Sequence, residues 1–207
     1  MYSLLILTCG FLYVTGSPNL RTAILIEKRT EFGQNLFFRG GLDYSRKEGC
    51  DSATSLESNP CVIPILHNIS SIDAYKAAKA WSKGDNYLDW SGAEPEQGDW
   101  TDIPASGSPA IWTTNDPSKE TFNILNTYGD HYWLLDVEMD CGKTLNGFFE
   151  VKGFLDGQWE NDIKQAKKCS GTEAVRRPFE SKNHIAKCGA KNVFHYNDGS
   201  CEISKFD

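Results

Sequence analysis

Three sets of residues in this chain have types suited to chemistry: carboxylates with histidines, cysteines, and tryptophans set among polar neighbours. The 28 Asp and Glu residues contain no spacing that marks a general acid and its partner, although two facing carboxylates are what glycoside hydrolysis requires. His67, His131, His184 and His195 are dispersed, and no HExxH, GxSxG or P-loop spacing occurs, so each histidine is expected to serve structure or surface. Asp85, Asp89 and Asp99 lie near one another in sequence but lack EF-hand spacing. The expectation is therefore no metal, no cofactor and no catalytic activity. The tryptophans are more informative. Of the six, Trp159 stands in Gln158-Trp159-Glu160-Asn161 directly after a turn, a flat aromatic ringed by polar groups. Trp90 ends Asp85-Asn86-Tyr87-Leu88-Asp89-Trp90, inside the longest loop-like stretch, and long loops on rigid scaffolds commonly carry binding function.

The elements that must position Trp159 are strands. In Trp133-Leu134-Leu135-Asp136-Val137-Glu138-Met139-Asp140 the apolar Trp133, Leu135, Val137 and Met139 share one face, and Asp136, Glu138 and Asp140 share the other. That period of two is a half-buried strand. Residues 148–155 alternate in the same way, bringing Phe149, Val151 and Leu155 together, and they stop at Asp156-Gly157, where glycine readily takes the positive φ of a tight hairpin turn. Further strands are expected over 22–28, 35–39, 61–67, 111–114, 179–186 and 191–196. Over 72–81 the period changes: Ala74, Ala77, Ala78 and Trp81 recur at helical spacing. Ser70 or Ser71 is placed to cap a short helix that ends near Lys83-Gly84. Residues 164–178 form a basic excursion, and Asn197-Asp198-Gly199 a turn. No repeat or linker divides the chain, so residues 17–207 read as one all-β domain, an antiparallel two-sheet β-sandwich with a short helix and long disulfide-tied loops.

Bulk properties narrow the setting. Residues 4–14 are a short apolar run, and Val14-Thr15-Gly16 ends in a small residue suited to cleavage, so residues 1–16 are expected to be a secretory signal despite lacking Lys or Arg. No segment reaches membrane-spanning length. Beyond Cys9, six cysteines remain, Cys50, Cys61, Cys141, Cys169, Cys188 and Cys201, expected to form three disulfides in an extracellular protein. Six cysteines allow fifteen pairings; pairing of sequence neighbours (Cys50–Cys61, Cys141–Cys169, Cys188–Cys201) closes the most local loops and is the expectation. Asn68-Ile69-Ser70 is an N-glycosylation acceptor. Net charge is −7 and cations are scattered rather than striped, which argues against nucleic-acid or anionic-membrane partners.

A family resemblance adds to this. Ile26-Glu27-Lys28-Arg29-Thr30-Glu31-Phe32-Gly33-Gln34-Asn35-Leu36-Phe37-Phe38-Arg39-Gly40 resembles the opening of the starch-binding modules appended to amylases and glucanotransferases. There a strand leads into T-x-(F/Y)-G-Q-N-(L/V) and then a strand ending in Gly. Trp133 and Val137 are similar to those modules' W-x-x-x-V strand. Phe149-Glu150-Val151-Lys152-Gly153-Phe154 with Gly157-Gln158-Trp159-Glu160 is similar to their F-E-(Y/F)-K-(F/Y) strand, turn and W-E pair. The order and spacing also resemble the extra C-terminal domain of some animal α-amylases. These matches cover well under half of the chain and are separated by an insertion over 43–109.

The resemblance implies an immunoglobulin-like sandwich of the starch-binding-domain type that binds α-1,4-glucan without cleaving it. It implies two exposed tryptophans stacked on successive glucose rings, with an asparagine hydrogen-bonding nearby. Trp159 matches the second tryptophan, with Glu160 beside it, and Trp90 resembles the first; Asn161 or Asn183 would supply the amide. A sugar ring has apolar C–H faces and polar edges, which suits a flat amphipathic indole flanked by polar groups. Trp133 and Trp81 are expected in the core, while Trp100 and Trp112 stay open. With no room for a catalytic barrel upstream, the expectation is a freestanding module whose partner is a polysaccharide or oligosaccharide. A glucan-binding module needs Trp90 and Trp159 exposed and roughly coplanar; the alternative is an extracellular matrix or protein-interaction component on the same sandwich, with both buried.

Overall fold

Alternating apolar side chains build strands throughout the computed structural model, which describes residues 19–163 and 168–206. The leader expected over 1–16 lies outside the described residues. In chain order the strands are β1 (Asn19–Glu27), β2 (Leu36–Gly41), β3 (Ile63–His67), β4 (Tyr87–Leu88), β5 (Asp99–Trp100), β6 (Ile103–Pro104), β7 (Ser108–Pro109), β8 (Ile111–Thr113), β9 (Tyr132–Asp140), β10 (Phe148–Leu155), β11 (Gln158–Trp159), β12 (His184–Lys187), β13 (Lys191–His195) and β14 (Asp198–Ser204), with a helix α1 (Lys76–Trp81) between β3 and β4.

The strands form two main sheets. One has seven strands in the order β14-β13-β1-β9-β3-β4, with β8 also on β9; the other has five in the order β11-β10-β2-β7, with β12 also on β10. β5 and β6 make a separate hairpin. Pairing is antiparallel except between β1 and β13. Ile24 and Ile26 of β1 and Trp133, Leu135, Val137 and Met139 of β9 face Leu36 and Phe38 of β2 and Phe149 and Val151 of β10 in one apolar layer. This is the expected all-β sandwich.

The outward faces are covered too. Ala23, Leu25 and Leu134 pack under Tyr75 and Ala78, whereas Phe37 and Phe154 pack under Trp81 and Ala105. The segment around α1 therefore closes over both sheets, one side of it on each. β10, which alternates like a half-exposed strand, is buried at every position from Phe148 to Phe154, with Phe154 under Trp81. The buried charges on its second face take partners: Glu150 accepts from Asp43 N at 2.8 Å and pairs with Arg46.

Several local expectations need correction. The helix begins with a 3-10 turn at Asp73–Tyr75, preceded by extended Ile72 with no side-chain cap, so neither Ser70 nor Ser71 caps it. The strand expected over 179–186 is only His184–Lys187; ahead of it the Ser181 hydroxyl bonds the Glu150 carboxylate on β10. The turn expected at Asn197-Asp198-Gly199 falls at Tyr196-Asn197, and Asp198–Ser204 form edge strand β14, in which Cys201 and Ile203 face inward.

The disulfides are Cys50–Cys61, Cys141–Cys188 and Cys169–Cys201. Only the first follows the neighbour expectation; Cys141–Cys169 and Cys188–Cys201 do not form. Sheet register is the cause. β12 lies on β10 with Phe148 opposite Lys187, and Cys188 N bonds Gly147 O at 2.8 Å, which sets Cys188 beside the Cys141 turn. Ser170 bridges to Glu202 and sets Cys169 beside Cys201. Asn68 is exposed just past β3.

Candidate functional site

β10 and β11 pair through Phe154–Trp159 and Leu155–Gln158, leaving Asp156 and Gly157 as a two-residue turn with φ of 47° and 77°. Both signs are those of a type I′ turn, whose twist matches the strands it joins. The hairpin projects Trp159, 44% exposed. Its indole is held from behind by the edge of Phe154, 5.1 Å between centroids, and by the Arg39 guanidinium, 5.0 Å from its ring. Arg39 also lies 3.9 Å over Phe154, and its Nε donates to Ser106 O at 2.7 Å. Burial pushes the guanidinium pKa down, against the pull of Asp89.

Trp90 arrives from the insertion. Its Nε1 donates to Leu42 O at 3.1 Å, which turns the polar edge inward and leaves the half-buried ring beside Trp159. The two indoles stand 6.3 Å apart between centroids, at 43° to one another. They are tilted, not the roughly coplanar pair expected of a glucan platform.

Both rings line a groove of about 620 Å³ that also contains Glu160, Asn161 and Asn183. Folding thus gathers all five sequence-derived candidates, but gives them different roles. Asn161 is exposed, and its N–H donates to Asn197 Oδ1 at 2.8 Å. Asn183 is buried in the wall. Glu160 has no exposed side-chain surface: its carboxylate accepts from Gly153 N at 3.0 Å and Asn197 N at 2.6 Å, with His184 Nε2 at 2.9 Å. It clasps β10, β12 and the β13–β14 turn beneath Trp159. Gly153 must lack a side chain here, since a Cβ would sit 2.8 Å from the Tyr196 ring and 3.4 Å from Glu160 Oε2.

Asp43, Lys152, Asp162 and Lys182 also line the groove and were not singled out from sequence. Alternation along β10 would have found Lys152, which shares a face with Glu150 and Phe154 and so points toward Trp159. Asp43 carries no local signal. Lys152 Nζ meets Asp162 Oδ1 at 2.8 Å. That hydrogen bond and charge hold the exposed Asp162 carboxyl below its ordinary pKa, and the Ser45 hydroxyl does the same for Asp43. Among the described residues no three metal-ligating side chains converge, and no helix is long and apolar enough to cross a membrane.

Of the other tryptophans, Trp133 and Trp81 are in the core, and Trp100 is exposed on the β5–β6 hairpin. No protein-family model, no curated protein and no solved structure matches this chain.

Proposed function

We propose that this chain is a secreted, non-catalytic carbohydrate-binding module that takes α-1,4-glucan by stacking sugar rings on Trp90 and Trp159. The observation that carries this reading is the meeting of two indoles, remote in sequence, across one groove with polar side chains at its rim. Trp159 offers an open face already stiffened from behind, so little conformational freedom is lost on stacking. The 43° tilt departs from the roughly coplanar pair expected of a glucan platform, so the reading leans on the open face of Trp159. Lys182, Asp43 and Asp162 offer donors and acceptors to hydroxyls. Three disulfides are the cross-links of extracellular proteins; secretion, and a glycan on the exposed Asn68, belong to the same proposal.

Affinity electrophoresis in gels with and without soluble starch tests the reading. Wild type is retarded, and Trp159→Ala binds at least about tenfold more weakly. Folded wild type that runs unretarded would overturn it. A protein-interaction role would then lead, favoured by the fully exposed Phe32 on a loop whose Gln34 is bonded to Asp156 at 2.7 Å.

A further inference from the structure

The chain is acidic overall, at −7, yet one ledge runs against that balance. Lys168, Arg176 and Arg177 line a cavity of about 580 Å³, where Glu180 is the one acidic side chain among the described residues. A short way along the chain, Lys182 lines the tryptophan groove. Glu173, the other carboxylate of this stretch, is committed to Lys187 at 2.5 Å and Lys205 at 3.7 Å. Lys168, Arg176 and Lys182 are in no ion pair among the described residues.

The ledge is held in place although it has almost no regular secondary structure. Cys169 is bonded to Cys201, Ser170 N donates to Cys201 O and Glu173 N to Ile203 O, each at 2.9 Å. Arg46 lies 4.4 Å over the Phe179 ring and donates to Glu180 O, and the Ser181 hydroxyl bonds Glu150. Along the chain, the Cα atoms of Arg176 and Lys182 are at most roughly 20 Å apart, within reach of one oligosaccharide. Cations on a fixed frame favour oxyanions of matching spacing, and an arginine fork can meet such an oxyanion with two hydrogen bonds.

We infer that the ledge from Lys168 through Arg176 to Lys182 binds sulfate or phosphate esters on the polysaccharide seated in the Trp90–Trp159 groove, so that the ligand is an anionic glycan. This rests on the carbohydrate reading of the groove.

The test measures Kd for soluble starch, starch sulfate and starch phosphate at low salt, on wild type, Lys168→Glu/Arg176→Glu and Trp159→Ala, each checked for folding by its thermal melt. Wild type binds one ester about tenfold more tightly than neutral starch, and the ester with the larger gain identifies the oxyanion. The double charge variant loses that gain and keeps neutral-starch binding, whereas Trp159→Ala weakens on every polymer. The inference is overturned if esterification gives no gain, if the gain survives the charge reversal, or if polyglutamate binds as tightly as the esters. Failure of wild type to bind neutral starch would instead condemn the groove reading, so the two failures are distinguishable.

Discussion

At the scale of single residues, Glu160 shows how position and role separate. Its place beside Trp159 is visible in the sequence, where a polar residue next to an exposed aromatic suggests contact with ligand. Folding uses its carboxylate internally, on Gly153, Asn197 and His184. Nothing in Gln158-Trp159-Glu160 announces this, because all three partners lie on other elements. Glu160→Ala leaves these buried groups without their acceptor and is expected to destabilise the fold by about 3 kcal/mol, read from urea unfolding. A loss below about 1 kcal/mol would mean that water or a rearranged neighbour replaces the clasp. Trp159 is the opposite case: its exposure predicts that Trp159→Ala mainly affects binding.

At the scale of elements, the β10–β11 hairpin was the most legible part of the site. Asp156-Gly157 announces a turn, and its backbone carries the two positive φ values that such a turn needs. Gly157→Val puts a β-branched residue at φ 77° and is expected to lower stability by about 2 kcal/mol while weakening starch retardation, because the turn aims Trp159. Gly157→Asn, which tolerates the left-handed region, should keep both properties. Gels and thermal melts on the same samples separate the two variants; equal retardation of Gly157→Val and wild type would detach the turn from the groove. Alternation located β9 and β10, but the full burial of β10 was not legible, because its second face is covered by residues distant in sequence: Asp43, Arg46 and Trp81 upstream and Ser181 downstream.

At the scale of the whole molecule, the disulfides tie distant parts of the sandwich together. Cys141–Cys188 spans a sequence separation of 47 and Cys50–Cys61 one of 11. Loop-closure entropy then predicts losses of about 4 and about 3 kcal/mol when each pair is replaced by serine, measured by urea unfolding after non-reducing peptide mapping has verified the three bonds. By itself the sequence determined the strand-forming periods, the Asp156-Gly157 turn, the helical segment, the cysteine content and an aromatic set among polar groups. Each of these follows from sterics and solvation between residues a few positions apart. Tertiary structure alone decided which cysteines pair, that Trp90 meets Trp159 at a tilt, that Glu160 is a clasp, and that Lys182 lines the same groove as the two indoles. Those outcomes depend on which strands become neighbours and in what register, and that choice is made by burying one shared core rather than by any local stretch of chain.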